Sequence, residues 1–171
     1  LKDGSAALTN PKPLQVNCLI ESGLPFYAGK VEYCIELPEI TLGDGRGICI
    51  SCQKLNAACV EIWVDDETVG YIVTRPYKLD ISKYYKSGGK LRIILYSTLR
   101  NLLGPHHHSE GELISNSPLS FLPELEANEN YSDLVFHWFD GKTGRKSWNE
   151  DYCLLNFGNM ERVSLEIVKA E

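Results

Sequence analysis

The stretch Leu91–Glu112, LRIILYSTLRNLLGPHHHSEGE, decides how the rest of the chain is read. Leu91, Ile93 and Leu95 alternate with Arg92, Ile94 and Tyr96, the period-two pattern of a strand with one wholly apolar face. The run continues without a turn signal through Leu99-Arg100-Asn101-Leu102-Leu103 and stops at Gly104-Pro105. Three histidines and an acidic, glycine-containing tail follow. A buried strand that delivers Arg, Asn and a His triplet to one end of a sheet has the pattern of a scaffold feeding a site.

Working outward, Lys30–Leu37 alternates Val31, Tyr33 and Ile35 with Glu32, Cys34 and Glu36, and Pro38 closes it. A strand over Ile48–Gln53 follows the tight turn Gly43-Asp44-Gly45-Arg46-Gly47. Ala58–Val64 is the clearest strand, with Val60, Ile62 and Val64 on one face and Glu61 and Trp63 on the other. Asp65-Asp66 makes a hairpin turn into Thr68–Val73. Arg75-Pro76-Tyr77 breaks the ladder, since proline cannot donate to it. Leu79-Asp80-Ile81 resumes it, and Ser82 is placed to cap one helical turn ended by Gly88-Gly89. Beyond the histidines come a loop at Ser117–Pro123, a short helix at Glu124–Glu129 and a strand at Leu134–Phe139. Strands at Tyr152–Phe157 and Val163–Val168 close the set, the last with Val163, Leu165 and Ile167 inward. Short strands, turn signals every ten residues or so and almost no helical periodicity predict an all-β sandwich or barrel over residues 18–171. Residues 1–17, with Asn10-Pro11-Lys12-Pro13, read as a linker or tether from a preceding segment.

Composition narrows the function classes. The chain has 171 residues, 43% of them hydrophobic and 23% charged, as in ordinary globular domains. No run of about eighteen apolar residues is present to span a membrane as a helix. The net charge of −6 disfavours a phosphate backbone as partner. Lys78, Lys83, Lys86, Lys90 and Arg92, interleaved with Tyr77, Tyr84 and Tyr85, read instead as solvated strand faces and turns. Six cysteines are present, but a chain of this length buries a core without disulfides. Cys49-Ile50-Ser51-Cys52 has zinc or redox spacing, yet positions i and i+3 of a strand point to opposite faces. Buried free thiols are the expectation, which favours the cytoplasm and leaves a secreted or periplasmic setting open.

At Ala58–Gly70 (ACVEIWVDDETVG), followed by Pro76–Ser82 (PYKLDIS) and a Gly-rich turn into Lys90–Tyr96, the chain resembles the sugar-binding jelly roll of family 2 glycoside hydrolases. Asp65-Asp66 stands where that pattern has Asn-Gly. Leu99–His108 (LRNLLGPHHH) and the ending Tyr152…Asn156-Phe157-Gly158 are similar to galactose-binding-like domains at the C-terminal end of large bacterial glycoside hydrolases. The resemblance covers about residues 24–168. It implies a jelly-roll β-sandwich and a non-catalytic accessory role: binding or positioning carbohydrate beside a catalytic domain of the same polypeptide. The alternative it leaves is a structural module that braces that domain without touching sugar. It also implies that a structural calcium is common in such sandwiches; Asp44, Asp65, Asp66 and Glu67 lie in turns, but their spacing matches no calcium loop. No other cofactor is expected.

The site candidates are weighed on chemistry. His106, His107 and His108 suggest metal ligation, with Glu110 or Glu112 as further ligand, although three consecutive side chains rarely converge on one ion. Ser109, His108 and Asp133 or Asp140 supply the residue types of a hydrolase triad. The Gly-x-Ser-x-Gly elbow is missing, and the expectation is a protein that is not itself an enzyme. Sugar recognition needs an aromatic face for C–H surfaces and planar polar groups for hydroxyls. Tyr77, Trp148 and Tyr152 supply the first; Arg75, Arg100, Asn101, His106, His107 and Asn149 supply the second. Trp63 and Trp138, inside strands, are expected to pack in the core. For Arg100 and Asn101, ligand binding and the bracing of a loop through backbone carbonyls stand as equal readings.

Overall fold

The computed structural model describes residues 19–107 and 150–169. The expected linker at 1–17, the helix at 124–129 and the strand at 134–139 lie outside the described residues, as do His108, Trp138, Trp148 and Asn149. Within them the chain runs β1 (Lys30–Glu36), β2 (Arg46–Ser51), β3 (Lys54–Asn56), β4 (Cys59–Val64), β5 (Glu67–Ile72), β6 (Lys78–Asp80), β7 (Lys90–Tyr96), α1 (Arg100–Leu103), β8 (Asn159–Glu161) and β9 (Ser164–Lys169). The protein is all-β, and the pairings are antiparallel. The strands form a four-stranded sheet in the order β1-β7-β4-β5, a three-stranded sheet β6-β2-β9, and the pair β3-β8.

Lys90–Tyr96 (β7) is the second strand of the larger sheet. Leu91, Ile93 and Leu95 face Val64, Ile62 and Val60 across the β4–β7 ladder, and all six are buried. Ile48 and Ile50 of the smaller sheet join them, with Ile72 and Ile81, in one core. Register is decided by this burial. A one-residue slip of β4 would turn Val60, Ile62 and Val64 outward, at about 1.5–3 kcal/mol each, whereas a cross-strand pair contributes ~0.2–1 kcal/mol. The hairpin turn falls at Asp65-Asp66 as expected. Asp65 is in the left-handed region (φ 52°), and it exchanges bonds with the start of β7: Asp65 N–H donates to Lys90 O at 2.7 Å, and Lys90 N–H donates to Asp65 Oδ1 at 2.9 Å.

Several expectations are corrected. β7 ends at Tyr96, and the run that continues to Leu103 makes a single helical turn where a loop was expected. Tyr152–Phe157 is an extended segment outside any ladder, and β3 and β8, which lack alternation, pair instead. The chain makes one turn after Ile81, but Ser82 does not cap it. Tyr84 and Tyr85 N–H groups both return to Ile81 O, while Ser82 Oγ accepts from Ile48 N–H at 2.8 Å, so its hydroxyl secures β2 rather than a cap. In β9, Leu165 and Ile167 lie opposite Ile50 and Ile48, but β9 is an edge strand and Ile167 is half exposed. Trp63 lies on the outer face of the larger sheet, opposite Arg92, not in the core. Cys34, Cys49, Cys52, Cys59 and Cys153 carry free thiols; Cys49 is buried and Cys34 exposed.

Candidate functional site

The segment leaving β7 is built inside out. Ser97 prolongs the β1–β7 pairing: its N–H donates to Gly29 O at 2.9 Å and its Oγ accepts from Gly29 N–H at 2.7 Å. Thr98 Oγ1 accepts from Arg100 N–H at 3.3 Å, a local bond that starts the turn. In α1 the polar residues face inward, with Arg100 and Asn101 each 6% exposed. Leu99, Leu102 and Leu103, which share a face at i, i+3 and i+4, are 58%, 49% and 60% exposed. The cause is the Asn101 amide. Its Nδ2 donates to Leu155 O at 2.8 Å and its Oδ1 accepts from Leu155 N–H at 2.9 Å, so one side chain replaces a strand neighbour for the tail. The bracing role is the one the structure gives Asn101.

Gly104 ends the turn at φ 82°, where a Cβ would meet His106 N and Nδ1 at 3.0 and 3.1 Å; only glycine fits. This lets His106 fold back so that Nε2 lies 2.9 Å from Asn101 O. A carbonyl only accepts, so Nε2 carries the proton. His106 O accepts from Cys153 N–H. The His106 ring packs edge-on to Phe26 (5.6 Å between centroids) and against Tyr152 (5.4 Å), and His107 also meets Tyr152, at 5.2 Å. His106 and His107 thus join an aromatic cluster with the exposed Phe26 and Tyr152. Among the described residues no three His, Cys, Asp or Glu side chains converge as a ligand set.

The remaining candidates do not gather here. Arg75 and Tyr77 lie between β5 and β6, with the guanidinium 5.8 Å from the ring centroid, and no described contact joins them to Asn101 or His106. Beside α1, however, opens a cleft of about 380 Å³ whose walls include Tyr27, Asn56, Ser97, Thr98, Asn156 and Phe157. Asn101 and Leu155 also line it. Sequence reasoning missed Tyr27, Asn56, Ser97 and Thr98 as site residues, and Asn156 entered only through a family ending. The available signal was an aromatic pair, Phe26-Tyr27, in a Gly-bounded loop. The Tyr27 ring stacks on Phe157 (6.3 Å, 16°), and its Oη donates to Lys30 O at 2.8 Å.

A second polar cluster covers the outer face of the larger sheet. Glu61 is only 8% exposed, and its carboxylate accepts from Tyr96 Oη at 2.6 Å and Tyr71 Oη at 3.2 Å. These bonds hold the Glu61 carboxyl below its ordinary range, and the same hydrogen bond pushes the Tyr96 phenol up to about 12. Beside it, Arg92 Nε donates to Glu32 Oε1 at 2.6 Å while the guanidinium lies 5.3 Å from the Trp63 ring. The Arg92 bond, helped by Cys34, brings the Glu32 carboxyl down to about 2.

No family model and no curated protein matches the chain. Its fold is found among solved structures. The rhamnosidase of Novosphingobium sp. PP1Y matches 90% of this chain with a TM-score of 0.55 at 19% identity. The matched region is 12% of that much longer chain, so what is shared is the fold of a small portion of a glycoside hydrolase.

Proposed function

We propose that this chain is a non-catalytic β-sandwich accessory domain of a larger glycoside hydrolase, docked on its catalytic neighbour through the α1 end. The observation that carries the reading is the inverted turn. Arg100 and Asn101 are buried while Leu99, Leu102 and Leu103 stand exposed on one face, and Phe26 and Tyr152 extend the apolar surface at the same end. Exposed leucines held on a braced turn suit a dry contact with another domain. The fold likeness to a portion of a rhamnosidase supports attachment to such an enzyme. Two sheets sharing one core support the sandwich, and its jelly-roll order belongs to the same proposal.

The test compares the 171-residue chain with the complete polypeptide from its gene, each carrying L102S/L103S. The expected result is unchanged stability in the short chain, with loosened docking and faster proteolytic release of this domain in the complete one. A complete polypeptide without a catalytic domain, or one in which the pair changes nothing, overturns the reading. A carbohydrate-contacting role is the second reading, favoured by the cleft beside α1.

A further inference from the structure

We propose that the cleft between the β7 exit, the β3–β4 connection and the 155–157 tail is a binding site for one residue of a neutral saccharide. The inference rests on the carbohydrate reading above and moves its site away from the arginine and histidine candidates.

The cleft has the size of a small-ligand pocket, about 380 Å³ against roughly 300–1,000 Å³ for such sites. Its chemistry favours a neutral guest. Among the described residues Lys54 is the one charged residue on its wall, and its ammonium is held at 2.9 Å by Glu161 Oε1. What remains is suited to hydroxyls. The Asn101 amide is taken at both ends by the Leu155 backbone, and the Asn56 Nδ2 group donates to Asn159 and Glu161. The exposed Asn156 amide has none of these ties and offers a donor pair and an acceptor. Ser97 Oγ accepts from Gly29 N–H and Thr98 Oγ1 from Arg100 N–H, so each hydroxyl proton is left to donate. The Tyr27 ring, stacked on Phe157 and pinned through its Oη to Lys30 O, is a rigid apolar wall of the kind that takes a sugar's C–H face. A fixed aromatic wall, two hydroxyls and one amide around a net-neutral cleft match a pyranose better than an anion or a purely apolar guest.

The test is an amide chemical-shift titration of the 171-residue chain with D-galactose, D-glucose, D-mannose, D-xylose and L-rhamnose, each to about 50 mM so that millimolar Kd values are read. D-Glucuronate is the anionic control. The expected result is saturable shifts at Ser97, Thr98 and Asn156 for at least one neutral sugar, with Kd raised roughly ten-fold by N156A, about one hydrogen bond's worth. A58F, which fills the cleft from an exposed wall position, abolishes the shifts without touching the core. L102S/L103S leaves them in place, so failure of docking and failure of this site read out separately. Absence of shifts with all five sugars, shifts mapping to another surface, tighter binding of glucuronate, or indifference to both N156A and A58F each overturns the proposal.

Discussion

Replacing Asn101 by alanine tests the bracing of the tail directly. The side chain is buried and makes two bonds to one backbone unit, Nδ2 to Leu155 O at 2.8 Å and Leu155 N–H to Oδ1 at 2.9 Å. Each is worth about 1 kcal/mol net, and leaving a dry backbone group without a partner costs about 1–3 kcal/mol more. Leu155 is half-buried, so water recovers part of that penalty, and the expected loss is roughly 2–4 kcal/mol. With a urea m-value near ~2 kcal/mol/M, the midpoint falls by about 1–2 M in equilibrium unfolding. The Leu155 amide should also lose its hydrogen-exchange protection ahead of β4 and β7. N101D sharpens the test. Protonated, the new carboxyl can donate to Leu155 O and accept from Leu155 N–H as the amide does; ionised, it faces a carbonyl with no proton. Its folded pKa is therefore raised above the ordinary ~3.9, so its stability is close to that of the parent below that value and is lost as pH rises through the raised one. A loss under about 0.5 kcal/mol for N101A, the size of an indifferent surface change, refutes the bracing account. So does a pH-independent N101D deficit.

Three further outcomes follow from the sheet faces. In G47A the new Cβ meets Ser82 Oγ at 2.5 Å and displaces the hydroxyl that receives Ile48 N–H; thermal melts should show a loss of about 1–3 kcal/mol, and G47A/S82G, which removes the clash but not the need of Ile48 N–H for an acceptor, should recover only part of it. Glu32, down at about 2 beside Arg92, contributes stability that is present above its unfolded value and lost as pH falls towards 2. E32Q should therefore flatten the melting temperature against pH between about 4.5 and 2, and an unaltered acid limb rules the pair out as a contributor. Tyr96, pushed up to about 12 by its bond to Glu61, should ionise after the other tyrosines in an ultraviolet titration. Its raised pKa adds stability below the unfolded value that is lost as pH rises through about 12, and E61Q should remove most of the delay.

How much of this was legible beforehand differs by element. Strands β1, β4 and β7 stood out because alternation is a local property: Val60, Ile62 and Val64 declare a face whatever lies opposite. The Asp65-Asp66 turn was legible for the same reason. The pair β3–β8 carries no such pattern, since three residues held by Lys54–Glu161 and Asn56–Asn159 leave no periodicity to read. Trp63 was placed in the core on residue type, yet its parity with Glu61 already set it on the outer face, and Arg92 covers it there.

The sequence by itself determined an all-β chain, which side of the main strands is apolar, and the importance of the segment that leaves β7. It left Arg100 and Asn101 poised between ligand and scaffold. Only the tertiary structure shows what Asn101 braces, because the groups that complete its amide belong to Leu155, 54 residues away, and no local pattern encodes them. The same long-range bonds turn the leucines outward and bring Tyr27, Ser97, Thr98 and Asn156, from three separate segments, around one cleft. Periodicity reports the face a residue shows, whereas partners come from how distant faces meet.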